Sequence, residues 1–256
     1  MGRTLFDKIW SAHVVASLGD GIDLLYVDRI LLHERTGSIA LKSLSEAGRK
    51  VVHPEQVFAT IDHIVDTVPG RSDETRVPHG GAMIRTTRAQ AKAAGIRLFD
   101  IADAGQGIVH VIAPEQGITQ PGLTIVCPDS HTCTQGAFGA LAWGIGSSEA
   151  EHALATKTLA VTRPKTMLIR VDGRLAPGVT AKDLILGLIA RHSAQGGNGY
   201  GVEFAGSAIA AMDMEARMTL CNMAVEFSAF TGLIAPDDKA IAYLEGRPFA
   251  PKGALW

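Results

Sequence analysis

Three groups of residues in this sequence combine an imidazole with an apolar stretch and, in two cases, with a carboxylate. They are Asp129-Ser130-His131, Asp62-His63 and His110. A carboxylate beside an imidazole can hold and transfer protons, because the nearby anion favours the protonated ring. A hydroxyl in the same group can bind a polar substrate. These residue types therefore predict general acid–base chemistry, with Ser130 as a substrate-binding residue.

The longest of these groups follows a short apolar run, residues 123–127, which predicts a buried strand that ends at Pro128. Polar side chains at the carboxyl end of a buried strand can converge on a ligand. Glycines follow within a few residues, among them Gly136 and Gly144, and allow the backbone to approach a ligand closely. We therefore predict that this stretch forms the centre of the site.

Alternating strand-like and helical patterns surround the site residues. We predict strands over residues 22–27, 57–61, 97–101, 108–112, 123–127 and 166–171, and helices over residues 81–94, 148–159, 181–192 and 214–230. Thr4 and Thr180 are predicted to cap helices. Repeated alternation of this kind indicates an α/β fold in which helices cover both faces of a sheet, a three-layer α/β/α sandwich.

The composition excludes several classes of protein. Of the 256 residues, 46% are hydrophobic and 20% are charged, and the formal net charge is −2. A chain this close to neutral offers no basic surface to nucleic acid or to a membrane. No apolar run reaches membrane-spanning length, the N-terminus lacks the apolar core of a signal peptide, and three cysteines do not make a disulfide framework. We therefore expect a cytoplasmic protein that acts on a small molecule, with no nucleic-acid or membrane partner.

Segments spread over nearly the whole chain resemble the aconitase superfamily, and most closely the large subunits of 3-isopropylmalate dehydratases. Besides the three groups above, these segments are residues 4–13, 24–29, 33–34, 113–117, 136–142, 218–226 and 235–237. The resemblance covers roughly the first half of such a subunit. It implies the α/β/α fold of the aconitase iron–sulfur domain, incomplete at its carboxyl end.

The resemblance also implies a reaction and a set of residues. The reaction is the isomerisation of a small hydroxy-dicarboxylate by loss and return of water, as in the conversion of 2-isopropylmalate to 3-isopropylmalate in leucine biosynthesis. The implied pairs are Asp62 with His63, Asp129 with His110, and Glu203 with His131. Together with Ser130, these residues are expected to line one cleft.

The family's [4Fe–4S] cluster is held by three cysteines, one of them in a Gly-Ser-Cys-Thr-Asn-like segment and two in a Cys-x-x-Cys pair. Neither segment occurs in this sequence, whose cysteines are Cys127, Cys133 and Cys221. The resemblance therefore implies no metal ligand in this chain. The ligands would come from a complementing chain, and the dehydratase small subunit is a second expected partner. Cys133, beside the predicted site, is expected to be the most reactive of the three thiols.

Each candidate residue also has a structural interpretation. An Asp-His pair, or Asp129 with Ser130, can cap a turn. His110 can be a core histidine, and Glu203 can be an ion-pair partner. The remaining histidines, among them His33, are interpreted as structural.

We predict two parts of the chain, an aconitase-like α/β domain over residues 1–192 and the start of a second α/β portion over residues 193–256. Four functions stay open. They are part of a 3-isopropylmalate dehydratase; the same scaffold acting on homoaconitate or a methylmalate; a non-catalytic module or pseudoenzyme without a cluster; and a hydratase with a single iron or zinc ion on His63, His110 and His131.

Overall fold

The computed structural model describes residues 2–256. The α-helices of this part of the chain are α1 Leu5–His13, α2 Gly37–Glu46, α3 Gly80–Ala94, α4 Val109–Glu115, α5 Ser147–Thr156, α6 Ala181–His192, α7 Ser207–Ala211, α8 Met214–Asn222 and α9 Asp238–Leu244. Short 3₁₀ segments are Pro54–Gln56, Ser130–Phe138, Val225–Phe227 and Gly253–Leu255. Within residues 2–256, none of the helices has the length and apolar character needed to cross a membrane.

The strands form three sheets. In chain order they are β1 Val14–Gly19, β2 Ile22–Tyr26, β3 Arg29–His33, β4 Val57–Thr60, β5 Arg97–Phe99, β6 Thr124–Cys127, β7 Leu141–Gly144, β8 Thr158–Thr162, β9 Lys165–Arg170, β10 Tyr200–Ala205 and β11 Thr231–Ile234. The largest sheet is parallel, with the order β5-β4-β3-β6-β7. From β3 the chain continues to β4 and β5 on one side of the sheet, and from β6 it continues to β7 on the other side. The direction of the connections therefore reverses between β3 and β6. A crevice at the carboxyl ends of the strands is expected at such a point.

Helices cover both faces of the five-stranded sheet. On one face, Ile30 and Leu32 of β3 share an apolar core with buried residues of α2, α3 and α5. On the other face, Leu31 shares a core with Val109 and Ile112 of α4. Successive side chains of a strand point to opposite faces, and here both faces are apolar. The predicted three-layer α/β/α sandwich is confirmed.

Two smaller sheets complete the fold. One is antiparallel, with the order β1-β2-β8, and the other is parallel, with the order β11-β10-β9. The second parallel sheet shares a core with α6, α8 and the 3₁₀ segment Ser130–Phe138. The predicted division of the chain at residues 192 and 193 stays a prediction, and this sheet lies on both sides of it, because β9 precedes the division and β10 follows it.

Two predicted elements are wrong. Residues 108–112, predicted as a strand, lead into α4, because the backbone N–H of Val109 donates to the Asp62 carboxylate (2.7 Å) instead of to a neighbouring strand. The helix predicted over residues 214–230 ends at Asn222, and Ser228, with a φ of +63°, then turns the chain into β11. Short apolar runs do not distinguish strand from helix, because both can be buried.

Two glycines allow close contacts between backbone segments rather than with a ligand. A Cβ atom at Gly144 would lie 2.5 Å from the carbonyl oxygen of Asp129, and one at Gly136 would lie 1.7 Å from that of Gly232. Only glycine permits these approaches. Gly144 at the end of β7 therefore supports the loop that carries Asp129.

Candidate active site

Asp129 is the centre of the candidate site, directly after β6. One of its carboxylate oxygens accepts hydrogen bonds from His110 Nε2 (2.8 Å) and from the backbone N–H of His131 (2.8 Å), and the other accepts one from His63 Nε2 (3.1 Å). Burial alone would raise the pKa of the Asp129 carboxyl, but the hydrogen bonds from His110 and His63 outweigh it and hold the pKa well below its usual range. Asp129 is therefore a permanent negative charge shared by two imidazoles.

His63 is held between two carboxylates at the end of β4. Its Nδ1 lies 2.6 Å from Asp62 Oδ1, and its Nε2 lies 3.1 Å from Asp129 Oδ2. An ionised carboxylate only accepts hydrogen bonds, so both ring nitrogens must carry protons. The bonds to Asp129 and Asp62 raise the pKa of His63 to about 10. His63 is thus an imidazolium at neutral pH, which can donate a proton or attract an anion but cannot act as a base.

Asp62 also positions His110. Its second oxygen accepts the backbone N–H of Val109 at the start of α4 (2.7 Å), where a carboxylate satisfies a free donor and interacts favourably with the helix dipole. The next residue, His110, then reaches Asp129 with Nε2. Its side chain is 7% exposed, and its Nδ1 has no hydrogen-bond partner among residues 2–256.

His33, interpreted from the sequence as structural, belongs to the same cluster. Its ring is stacked on that of His63, with 3.7 Å between ring centroids and 15° between planes, and its Nε2 lies 3.9 Å from Asp129 Oδ2. Burial, and then the cationic His63, lower the pKa of His33 to about 4. The neutral ring of His33 is therefore stacked on the positively charged ring of His63. Its place at the end of β3, between β4 and β6, is the signal that could have identified it.

The predicted partner of His131 is wrong. Glu203 Oε1 accepts the backbone N–H of Phe6 (2.9 Å), which ties α1 to β10. His131 Nε2 lies instead 3.3 Å from Glu226 Oε1, and its Nδ1 lies 3.0 Å from Ser130 Oγ. The side chains of His131 and Glu226 are 37% and 57% exposed, so water weakens their attraction.

The sequence pattern did not indicate Glu226 as a partner of His131, because a helix over residues 214–230 would place it within the helix and not in a turn. In the structure it lies in the 3₁₀ segment Val225–Phe227, just after α8.

A groove of about 840 Å³ opens beside His131, between α4, α6 and α8. Its lining includes the polar side chains of His110, His131, Lys182, Glu215, Asn222 and Glu226 and the apolar side chains of Ile108, Val111, Leu186, Ile189, Met218 and Met223. Ile108, on the lining of the groove, is 60% exposed. The Asp129 carboxylate is therefore enclosed by its hydrogen-bond partners, whereas the His131 ring faces the groove.

Six of the seven predicted site residues are thus linked by direct contacts: Asp62, His63, His110, Asp129, Ser130 and His131. Glu203 is the exception. Both ring nitrogens of His63 are bonded to carboxylates and His110 Nε2 is bonded to Asp129, which leaves only the buried Nδ1 of His110 without a partner, so the geometry does not favour the metal alternative. The catalytic roles of the six residues stay predictions.

The cysteines do not fit an iron–sulfur cluster, which needs several thiolates that face one point. Cys127 lies in the core beside α4, while Cys133 and Cys221 lie in the core of the second parallel sheet. Burial raises the pKa of Cys133 to about 12 and the pKa values of the other two thiols well above the usual range. The expectation that Cys133 is reactive is therefore wrong.

Comparisons with known proteins identify the family of the chain. The sequence profile of the Aconitase family (aconitate hydratase) matches residues 7–256. The chain is 54% identical over 255 residues to the 3-isopropylmalate dehydratase large subunit 1 of Bradyrhizobium diazoefficiens, covering 100% of this chain and 53% of that protein. It thus spans about half the length of that relative.

Among solved structures, the holo-form of Thermococcus kodakaraensis aconitase X is similar over 90% of this chain and 55% of that one, with a TM-score of 0.46 and 14% identity. The profile match extends over nearly all of the residues that form the three sheets and the imidazole cluster. The chain therefore belongs to the aconitase family.

Proposed function

We propose that this chain supplies the acid–base residues of a cytoplasmic hydro-lyase of the 3-isopropylmalate dehydratase type. Such an enzyme converts 2-isopropylmalate to 3-isopropylmalate by dehydration and rehydration, a step of leucine biosynthesis. The observation that carries the proposal is the convergence of His63 and His110 on Asp129, in a chain 54% identical to a dehydratase large subunit. Loss of water requires one group to accept a proton from carbon and another to assist the departing hydroxide.

The charges of the site suggest how the roles are divided. His63, held as an imidazolium by Asp62 and Asp129, is suited to protonate a leaving hydroxyl or to attract a substrate carboxylate. His131 lines the groove, and the exposed Ser130 contacts its ring, so both are suited to bind the substrate. The proposed substrate class is a small hydroxy-dicarboxylate.

The family cofactor, a [4Fe–4S] cluster, would supply Lewis-acid chemistry when bound. The three buried thiols of this chain do not fit that group, so we propose that its ligands come from a complementing chain. The dehydratase small subunit is the second proposed partner. The isolated chain should therefore be inactive toward either isopropylmalate.

Complementation tests the proposal. The chain is mixed anaerobically with a polypeptide carrying the part of the Bradyrhizobium relative that it does not cover and with that enzyme's small subunit. After iron–sulfide reconstitution, 2-isopropylmalate conversion is followed by product chromatography, with homoaconitate and methylmalate assayed in parallel. We expect activity only in the complete mixture, and a loss of at least about a hundredfold with Asp129→Asn.

The exposed turn residue Asp20 offers a matched control, and Asp20→Asn should retain full activity. The proposal fails if an assembled, cluster-loaded mixture is inactive on all three substrates. That result would favour a non-catalytic module, the alternative to which the buried thiols also point.

A further inference from the structure

Glu34 is a fully buried carboxylate that the proposed function does not use. It follows β3 directly and is 0% exposed. Its two oxygens accept the backbone N–H groups of Asp62 (3.0 Å) and of Ile64. These two donors flank His63, so Glu34 fixes the backbone on both sides of the imidazolium.

Within residues 2–256, no lysine, arginine or histidine nitrogen forms an ion pair with Glu34 within 4.0 Å. Glu34 belongs to a compact cluster with His33, Asp62 and His63. One ring nitrogen or carboxylate oxygen from each of the four residues lies within 4.8 Å of the others. Burial raises the pKa of the Glu34 carboxyl, against the effect of the two N–H donors, so its charged form needs a compensating positive charge nearby. Since burial and the ring of His63 keep His33 neutral, the cation of the group is His63.

The same four residues could be interpreted as a metal site, but their atoms are already used. Both oxygens of Glu34 accept backbone N–H groups, and the oxygens of Asp62 accept from His63 and from Val109. A metal ion would have to break these bonds. The imidazolium already provides the positive charge.

We propose that Glu34 is a positioning residue for His63: it locks the backbone of residues 62–64 and adds a third negative charge, after Asp62 and Asp129, that keeps the ring protonated. Its consequence for catalysis rests on the proposed function, whereas the positioning itself does not. A carboxylate within about 6 Å of an imidazole favours the protonated ring by about one pKa unit or more.

Nuclear magnetic resonance of the isolated chain tests the proposal without substrate or partner chains. In the wild type, the amide hydrogens of Asp62 and Ile64 should exchange slowly although they lie outside helices and strands. In Glu34→Gln, which removes the charge and one acceptor, the titration midpoint of His63 should fall by about one pH unit or more. Exchange at one or both amides should become about tenfold faster.

Two further variants separate the effects. Glu34→Asp keeps the charge but shortens the side chain, so exchange should accelerate with a smaller change in the His63 midpoint. Glu55→Gln removes an exposed carboxylate outside the cluster and should change neither measurement. Rapid wild-type exchange at Asp62 and Ile64, or a folded Glu34→Gln chain with an unchanged His63 midpoint, would overturn the proposal.

In the complemented enzyme, Glu34→Gln should lower kcat about tenfold or more with little change in KM, and the alkaline limb of the pH profile should move with the His63 midpoint. An inactive complemented wild type, with the resonance results as expected, would remove the proposed function and leave the positioning role intact.

Discussion

The imidazole–carboxylate pairs on the two sides of Asp129 differ in how much water reaches them. On the inner side, the side chains of Asp62 and His110 are 3% and 7% exposed, and that of His63 is 26% exposed. On the outer side, His131 and Glu226 are 37% and 57% exposed and border the groove. Electrostatic interactions are stronger where water is excluded. The charges of His63 and Asp129 are therefore held by their inner partners, whereas water at the groove weakens the attraction between His131 and Glu226.

Removing the shared inner charge should have the largest effect. Asp129→Asn removes the negative charge to which both His63 and His110 are bonded. We expect the free energy of unfolding to fall by about 2–3 kcal/mol, since the partners of this partly buried carboxylate lose its charge. Urea unfolding followed by circular dichroism measures the change, with Asp20→Asn as the control. Equal stabilities of the two variants would mean that the inner network is not the tightly coupled unit described above.

The inner cluster should also determine how stability depends on pH. The folded pKa of His63 is about 10, above the ordinary value of about 6.5. Its contribution is therefore fully present below about pH 6.5 and is lost as the pH rises from there to about 10. The folded pKa of His33 is about 4, so the unfolded ring gains its proton first, and stability falls as the pH drops from about 6.5 to about 4.

Urea unfolding between pH 4 and pH 10 measures both effects. His63→Asn should flatten the alkaline limb, and His33→Asn the acid limb, relative to wild type. His152→Asn, on the exposed face of α5, should change neither limb. If the stability of His63→Asn still fell between about pH 6.5 and pH 10, other groups would be responsible for the alkaline loss.

The backbone beneath Asp129 should be sensitive to a single methyl group. Gly144→Ala places a Cβ atom 2.5 Å from the Asp129 carbonyl oxygen, and we expect a loss of about 1–3 kcal/mol in the free energy of unfolding. Gly187→Ala on α6 meets no atom within 4 Å and should stabilise the helix by about 0.5–1 kcal/mol. Thermal unfolding of both variants gives the comparison, and similar effects at the two positions would contradict the close approach.

The smallest effects should come from the two glutamates that were candidates for pairing with His131. Glu203→Ala removes the acceptor of the Phe6 N–H and should cost about 1 kcal/mol, without altering His131. Glu226→Ala breaks only the exposed pair and should cost less than about 1 kcal/mol, while shifting the imidazole resonances of His131. Chemical unfolding and proton–nitrogen spectra distinguish them. A shift of the His131 resonances by Glu203→Ala alone would restore the pairing expected from the sequence.

The sequence alone determined the parts of this protein whose partners are close along the chain. Thr4 and Thr180 cap α1 and α6 as predicted, in capping boxes with Asp7 and Asp183, and α3 ends as predicted at Ala94, before Gly95 in the left-handed conformation. Asp62 meets His63 because the two are neighbours. Alternating patterns also determined the α/β/α class, since strand and helix periods differ.

Only the tertiary structure decided which distant groups meet. The strand order β5-β4-β3-β6-β7 brings the ends of β3, β4 and β6 together, which adds His33 and Glu34 to the predicted residues. The early end of α8 places Glu226 opposite His131 and leaves Glu203 to α1. Local bonds follow from backbone geometry within a few residues, whereas a long-range pair depends on strand order and on where each helix ends. A single sequence does not specify those in its local pattern.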